Sequence, residues 1–167
     1  MVSDKLPTPA EWEAVKRDAS TGAVSAVDAS ISAELLQAVI DAARAGVPNE
    51  ACGLLVSNAF AADGGTPMRY VPLRNAAESP YRYLIDPQEQ LRVWLELEDA
   101  DEVPWGIVHS HVASPAVPSA TDVGLAFFPD SLYVICSLEA ETPTIRAWSI
   151  IDGTVMEAQL AVTETTG

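Results

Sequence analysis

Three short runs of mostly apolar residues constrain this chain more than any other feature: ACGLLVS at 51–57, VPWGIVHSH at 103–111 and SLYVICSL at 131–138. A mostly apolar run of this length, bounded by turn residues, reads as a buried strand. None approaches the roughly 20 residues that a membrane-spanning helix needs. Buried strands require a sheet around them and something to cover it. The segments between them supply both. SAELLQAVIDAARAG (32–46) places Leu35, Leu36, Val39, Ile40 and Ala43 at helical spacing, with Ser32 as N-cap and Gly46 as the stop. PQEQLRVWLELEDAD (87–101) opens with a cap at Asp86, proline at the first helical position and Glu89 two residues later. This second helix is predicted to turn Leu91, Trp94 and Leu95 inward.

The remaining segments complete a sheet. AVSAVDA (23–29) reads as a short strand, and MRYVPLRN (68–75) alternates as a strand paired with 51–57 across the Asp63-Gly64-Gly65 turn. TDVGLAFF (121–128) is a short helix. TPTIRAWSIIDG and TVMEAQLAV form a closing hairpin joined at Asp152-Gly153. The order is β-α-β-β-α-β-α-β-β-β, with too few helices for a doubly wound fold. The predicted class is α+β, or a three-layer α/β sandwich: a curved, mixed β-sheet flanked by helices. Residues 1–22 read as an N-terminal extension with a short helix at PAEWEAVKRD, 23–162 as one domain, and 163–167 as a tail.

Charge and composition narrow the function. A net charge of −15 disfavours nucleic acid as a partner, since phosphate binding needs clustered Lys and Arg. The first twenty residues lack the charged-then-apolar pattern of a signal peptide, so the expectation is a cytoplasmic protein without a membrane partner. The two cysteines, Cys52 and Cys136, read as buried apolar residues rather than a disulfide.

The chemistry concentrates in HSHVASPAVPSATD, residues 109–122, which holds both histidines of the chain. In a strand, residues i and i+2 face the same side, so His109 and His111 can offer two imidazole nitrogens to one ion. Asp122, on the first turn of the next helix, is placed to be a third ligand. Two histidines and a carboxylate leave a fourth position of a tetrahedral zinc site open, which is the arrangement of catalytic zinc. An ion held there makes a water acidic near neutral pH. A carboxylate outside the ligand set must then take its proton, and Glu50, at the edge of an apolar strand, can do so. Ser119 can donate a hydrogen bond to a developing oxyanion. Blander readings exist for each. Ser119-Ala-Thr-Asp122 ahead of an apolar run is also a capping box; the two roles coexist for Ser119, whereas for Asp122 ligation would replace the box. Glu50 alone reads as an exposed acid after a turn, and the prolines at 115 and 118 as simple stiffeners of the loop. His2Asp also suits divalent ions other than zinc.

Glu50, then His109-Ser110-His111, seven residues, Ser119, two residues and Asp122 resembles the E…H-[ST]-H-x7-S-x2-D signature of the JAMM/MPN+ zinc metalloproteases, with every position filled. The segments NEACGLLVS, VPLRNAAESPYRYLIDPQEQLRVW and VPWGIVHSHVASPAVPSATDVGLAFFPDSLYVI are similar to a bacterial branch of that family, the Mec-type peptidases; the resemblance covers about residues 24–160. It implies an MPN/JAMM (cytidine-deaminase-like) fold, Zn2+ held by His109, His111 and Asp122, Glu50 as general acid/base and Ser119 steadying the tetrahedral intermediate. It further implies hydrolysis of the C-terminal peptide bond of a small ubiquitin-like sulfur-carrier protein–cysteine adduct (a Gly-Gly-Cys tail), which serves cysteine biosynthesis. A broader isopeptidase acting on ubiquitin-like modifiers and a non-catalytic MPN scaffold are the alternatives, the latter disfavoured because all five signature residues are present. Val112 stands where many eukaryotic relatives have proline, which favours the bacterial branch. Cys52 has no spare histidine to activate it and is assigned to the core or the site wall. Tyr81, Arg82 and Tyr83 lie in a loop open to substrate contact or to packing, and are not counted as site residues.

Overall fold

The computed structural model describes residues 28–164. In chain order the elements are β1 (Asp28–Ser32), α1 (Ala33–Gly46), β2 (Cys52–Ser57), a 3-10 turn (Ala61–Asp63), β3 (Arg69–Leu73), α2 (Pro87–Asp99), β4 (Val103–His111), α3 (Ala120–Gly124), β5 (Leu132–Ser137), β6 (Thr144–Ile151) and β7 (Thr154–Thr163). The strands form a seven-stranded sheet in the order β1-β7-β6-β5-β4-β2-β3. β4 and β5 are parallel, as are β1 and β7; the other neighbours are antiparallel. The parallel β4–β5 pair requires a crossover rather than a hairpin, and the loop carrying α3 is that crossover. The mixed sheet and the element order agree with the sequence reading.

Both faces of the sheet are covered, and the period of two along each strand sorts the core. Leu132, Val134 and Cys136 of β5 join Val39 and Ala43 of α1 on one face, whereas Tyr133 and Ile135 join Val93 and Leu97 of α2 on the other. Each fully buried aliphatic side chain of this kind contributes about 1.5–3 kcal/mol of transfer free energy. The result is three layers, with α1 and α2 on opposite sides of one sheet.

The helix termini follow their sequence signals. Ser32 accepts a hydrogen bond from Leu35 N, and Asp86 accepts from Gln88 N and Glu89 N with Pro87 at the first turn. The closing hairpin turns at Asp152 and Gly153, both at positive φ, as a two-residue Asp-Gly loop requires. β4 carries a bulge. Leu55 lies opposite Gly106 and Val56 opposite Pro104, so Trp105 is the extra residue. Its indole donates to Gly65 O at 2.8 Å. Gly106 beside it packs tightly: a Cβ there would meet Val134 at 3.3 Å and Leu55 at 3.4 Å.

One expectation is corrected. In α2 the buried residues are Val93 and Leu97, with Trp94 half-buried, while Leu91 and Leu95 are 62% and 57% exposed. A helix this rich in leucine carries two apolar stripes, and the sheet takes the one that also fits Ile85 and Leu73. Among the described residues the first strand is Asp28–Ser32, which runs directly into the N-cap of α1; residues 23–27 of the strand expected at 23–29 fall outside the described residues. The helix expected at PAEWEAVKRD, and the boundary expected between residues 22 and 23, fall outside the described residues. Among the described residues no helix is long and apolar enough to cross a membrane.

Candidate metal centre and active site

β4 delivers His109 and His111 from the α2 face of the sheet, at the end of a strand that is buried from Trp105 onward. The chain then turns through Pro115 and Pro118 and enters α3, which brings Asp122 back over the strand end. The three side chains meet. His109 Nε2 lies 3.2 Å from His111 Nε2, Asp122 Oδ2 lies 3.1 Å from His111 Nε2 and 3.2 Å from His109 Nε2, and all three residues are buried. Three ligands about 2.05 Å from a tetrahedral ion stand about 3.3 Å from one another, so the spacing fits a single metal ion.

The hydrogen-bond partners fix the tautomer of His111. His111 Nδ1 lies 2.6 Å from the carbonyl oxygen of Pro115, where a ring nitrogen can only donate. In the neutral ring Nε2 therefore carries a lone pair. It faces an acidic oxygen and a second imidazole nitrogen. Such a cluster of electron pairs, out of water, is satisfied by a shared proton or by a cation. Burial holds His109 below its ordinary value, toward the neutral ring that binds metal. Burial also pulls Asp122 upward, but the adjoining His109 and His111 rings, together with the backbone N–H of Ser119, outweigh it and keep the carboxyl well below the usual range.

The capping box and the His109–His111–Asp122 cluster share one carboxylate. Ser119 N donates to Asp122 Oδ2 at 2.8 Å and Asp122 N donates to Ser119 Oγ at 3.1 Å, which closes the box. The same Oδ2 faces both histidines. A carboxylate has about four lone-pair directions, so the box leaves Asp122 room for a further partner. Ser119 is exposed, and because its oxygen accepts in the box, its own hydrogen is left to donate outward.

Glu50 is 5% exposed rather than a surface acid, and its Oε2 has no hydrogen-bond partner among the described residues. Burial pushes its carboxyl up to about 7, with His111 opposing the shift and Asp122 adding to it. It precedes β2, yet its segment is tightly fixed against the histidine strand. Ser110, between the two histidines, faces the other way; its Oγ accepts from Ala51 N at 2.7 Å and its N donates to Ala51 O at 2.9 Å. The middle residue of His-Ser-His thus ties β4 to the residue next to Glu50.

Tyr83 is a site neighbour that the sequence left undecided. Its ring stacks on His109 with centroids 4.4 Å apart and planes 19° from parallel. Tyr81, two residues earlier, is 86% exposed. Cys52 and Cys136 are both free and buried, on opposite faces of the sheet. Burial pushes the Cys52 thiol up to about 12, with Glu89 and Glu50 adding to it, and Cys52 Sγ donates to Leu73 O at 3.6 Å. A thiol held so firmly protonated is a wall, not a nucleophile.

A mixed sheet covered on both faces, with two imidazoles and a carboxylate gathered at one strand end, defines the class of JAB/MPN-type domains. Residues 32–151 match the model of the prokaryotic homologs of the JAB domain, and the chain belongs to that family. It is similar to the CysO-cysteine peptidase of Mycobacterium tuberculosis, with 44% identity over 135 residues, 80% of this chain and 90% of the relative. It is also similar to a desampylase of Haloferax volcanii, with 33% identity over 125 residues, 72% of this chain and 87% of that one. Among solved structures, a solution structure of a Desulfitobacterium hafniense protein superimposes with a TM-score of 0.71 at 33% identity, covering 81% of this chain and 92% of that one. A JAB1/MPN domain protein from Archaeoglobus fulgidus shares the fold at a TM-score of 0.54 and 18% identity, covering 81% and 98%.

Proposed function

We propose that this chain is a cytoplasmic, zinc-dependent peptidase that hydrolyses the C-terminal peptide bond of a ubiquitin-like sulfur-carrier protein–cysteine adduct and so releases cysteine. The observation that carries the reading is the convergence of His109, His111 and Asp122 within 3.2 Å, beside a buried Glu50 whose Oε2 is unpaired. The identity to the CysO-cysteine peptidase supports the choice of substrate. Zinc suits the donor set, two imidazole nitrogens and one carboxylate oxygen with a position left for substrate. Bound there, it supplies Lewis acidity at the scissile carbonyl.

The rest of the work falls to the chain. Glu50, with its carboxyl lifted to about 7, takes a proton from the attacking water and returns it to the departing amine nitrogen as the carbon–nitrogen bond breaks. The Ser119 hydroxyl donates to the oxygen that gains charge during attack. The Pro115 carbonyl fixes the tautomer of His111, and the backbone of Ser119 holds Asp122 in place. Tyr83 and Cys52 keep the site walls apolar.

The test is direct. The purified protein is assayed for bound metal and incubated with a carrier ending in Gly-Gly-Cys, and loss of the terminal cysteine is followed by mass. Zinc in near-stoichiometric amount and release of cysteine are expected; absence of either overturns the proposal. The similarity to the desampylase favours one second reading, cleavage of an isopeptide bond to a lysine side chain. A carrier conjugated through lysine, run beside the cysteine adduct, decides between them by which is cleaved faster.

A further inference from the structure

The family signature accounts for Glu50 but not for what holds it. Glu50 lies ahead of β2, and its own backbone is bonded to a single loop: its N donates to Ser79 O at 2.9 Å and its carbonyl accepts from Asn75 Nδ2 at 3.0 Å. That loop is itself closed around Asn75. Asn75 Nδ2 also donates to Arg82 O at 3.1 Å, and Oδ1 accepts from Ala77 N at 3.0 Å and Leu84 N at 2.9 Å. The amide makes four bonds, two given and two accepted, which is its full capacity. Aspartate has no donors to give, and glutamine adds a methylene to the reach. The same loop carries Tyr83 onto the ring of His109.

Building on the peptidase reading, we infer that Asn75 is a positioning residue: it locks the loop that covers His109 to the main chain of Glu50, and so sets the general base against the metal ligands. Asn75 touches no reacting atom. Its effect comes through placement, and misplacing a catalytic group by about 1 Å can cost on the order of 100-fold in rate.

The variant Asn75→Asp is nearly isosteric and keeps the accepting oxygen, while turning the donor to Glu50 O into a second acceptor. In the zinc-loaded enzyme we expect kcat for cysteine release to fall about 10- to 100-fold with KM changed less than about threefold. Bound zinc per chain stays at the wild-type value. In a Glu50→Gln background the same substitution lowers the residual rate by less than about threefold, because no base is left to misplace. Asn75→Ala gives the same pattern, and bound zinc reports which variants are folded. A kcat within about threefold of wild type overturns the inference, as does an equal loss in both backgrounds, which would mark a general loosening. The clamp is also read without turnover, by hydrogen exchange at the Glu50 amide, expected to quicken about tenfold in Asn75→Asp; unchanged protection overturns it. A wild-type protein that binds zinc but releases no cysteine would instead fault the peptidase reading, leaving the exchange experiment to judge Asn75.

Discussion

The two faces of the sheet are built from the same strands and are equally dry, yet they treat polar groups differently. On the α1 face the core is apolar from Ile31 to Cys136, and Ser110, the polar side chain that β4 places there, is bonded to Ala51 N. On the α2 face the apolar cluster of Tyr133, Ile135, Trp148, Val93 and Leu97 gives way at the end of β4 to His109, His111, Asp122 and Glu50. Register makes the contrast local: His109 pairs with Ile135 and His111 with Ser137 on the neighbouring strand. Both unpartnered buried side-chain polar atoms among the described residues, Glu50 Oε2 and His109 Nδ1, belong to this group. One face maximises stability, and the other forgoes some of it at a point where an ion and a substrate can satisfy what the chain leaves open.

The contrast can be broken from either side. The largest effect is expected from His109→Ala, which should abolish metal binding and peptidase activity together, as read by metal analysis and the mass assay. Glu50→Gln should lower kcat by about 10²- to 10⁴-fold while keeping the metal. It should also stabilise the protein on the alkaline side. The folded carboxyl sits at about 7 against an ordinary 4.5, so ionising it weakens folding as pH rises through that interval. Thermal denaturation of the metal-free protein should therefore show a higher Tm for Glu50→Gln near pH 8 and little difference near pH 4. The wild-type kcat/KM should rise with pH on the acid side as Glu50 loses its proton, and a profile flat throughout would deny it the role of base.

On the other face, Ile31→Ala should cost about 2–5 kcal/mol in denaturant unfolding and leave the kcat of the folded enzyme within about twofold of wild type. Smallest of all, Leu95→Ser on the open side of α2 should change stability by less than about 0.5 kcal/mol. A larger loss would mean that the outer leucine stripe is packed after all.

Much of this contrast was legible in the sequence because it rests on local pattern. The three apolar runs became β2, β4 and β5, and the caps at Ser32 and Asp86 and the turn at Asp152-Gly153 were read from neighbouring residues. His109 and His111 share a face by the period of a strand, which needs no tertiary knowledge. What stayed hidden depends on contacts between distant residues. The choice between Val93/Leu97 and Leu91/Leu95 is made by the sheet, not by the helix. Glu50 looks like a surface acid until its segment is laid beside β4. Ser110, Asn75 and Tyr83 act across 59, 25 and 26 residues of chain, and contacts of that reach leave no spacing signal. A polar asparagine after a strand, next to a turn, has too many ordinary explanations to stand out.

The bulge at Trp105 has a meaning beyond local packing. By placing two successive residues, Trp105 and Gly106, toward α1, it sets the phase in which the rest of β4 is displayed. Every side chain after it, including both imidazoles, faces where it does because of that one-residue offset. Removing one residue between the bulge and His109 would leave the letters His-Ser-His intact and present Ser110 where the histidines now stand. The chain thus carries its His-Ser-His motif in a reading frame of its own, written in geometry rather than in codons, and a sequence comparison that counts only matching letters would not see it shift.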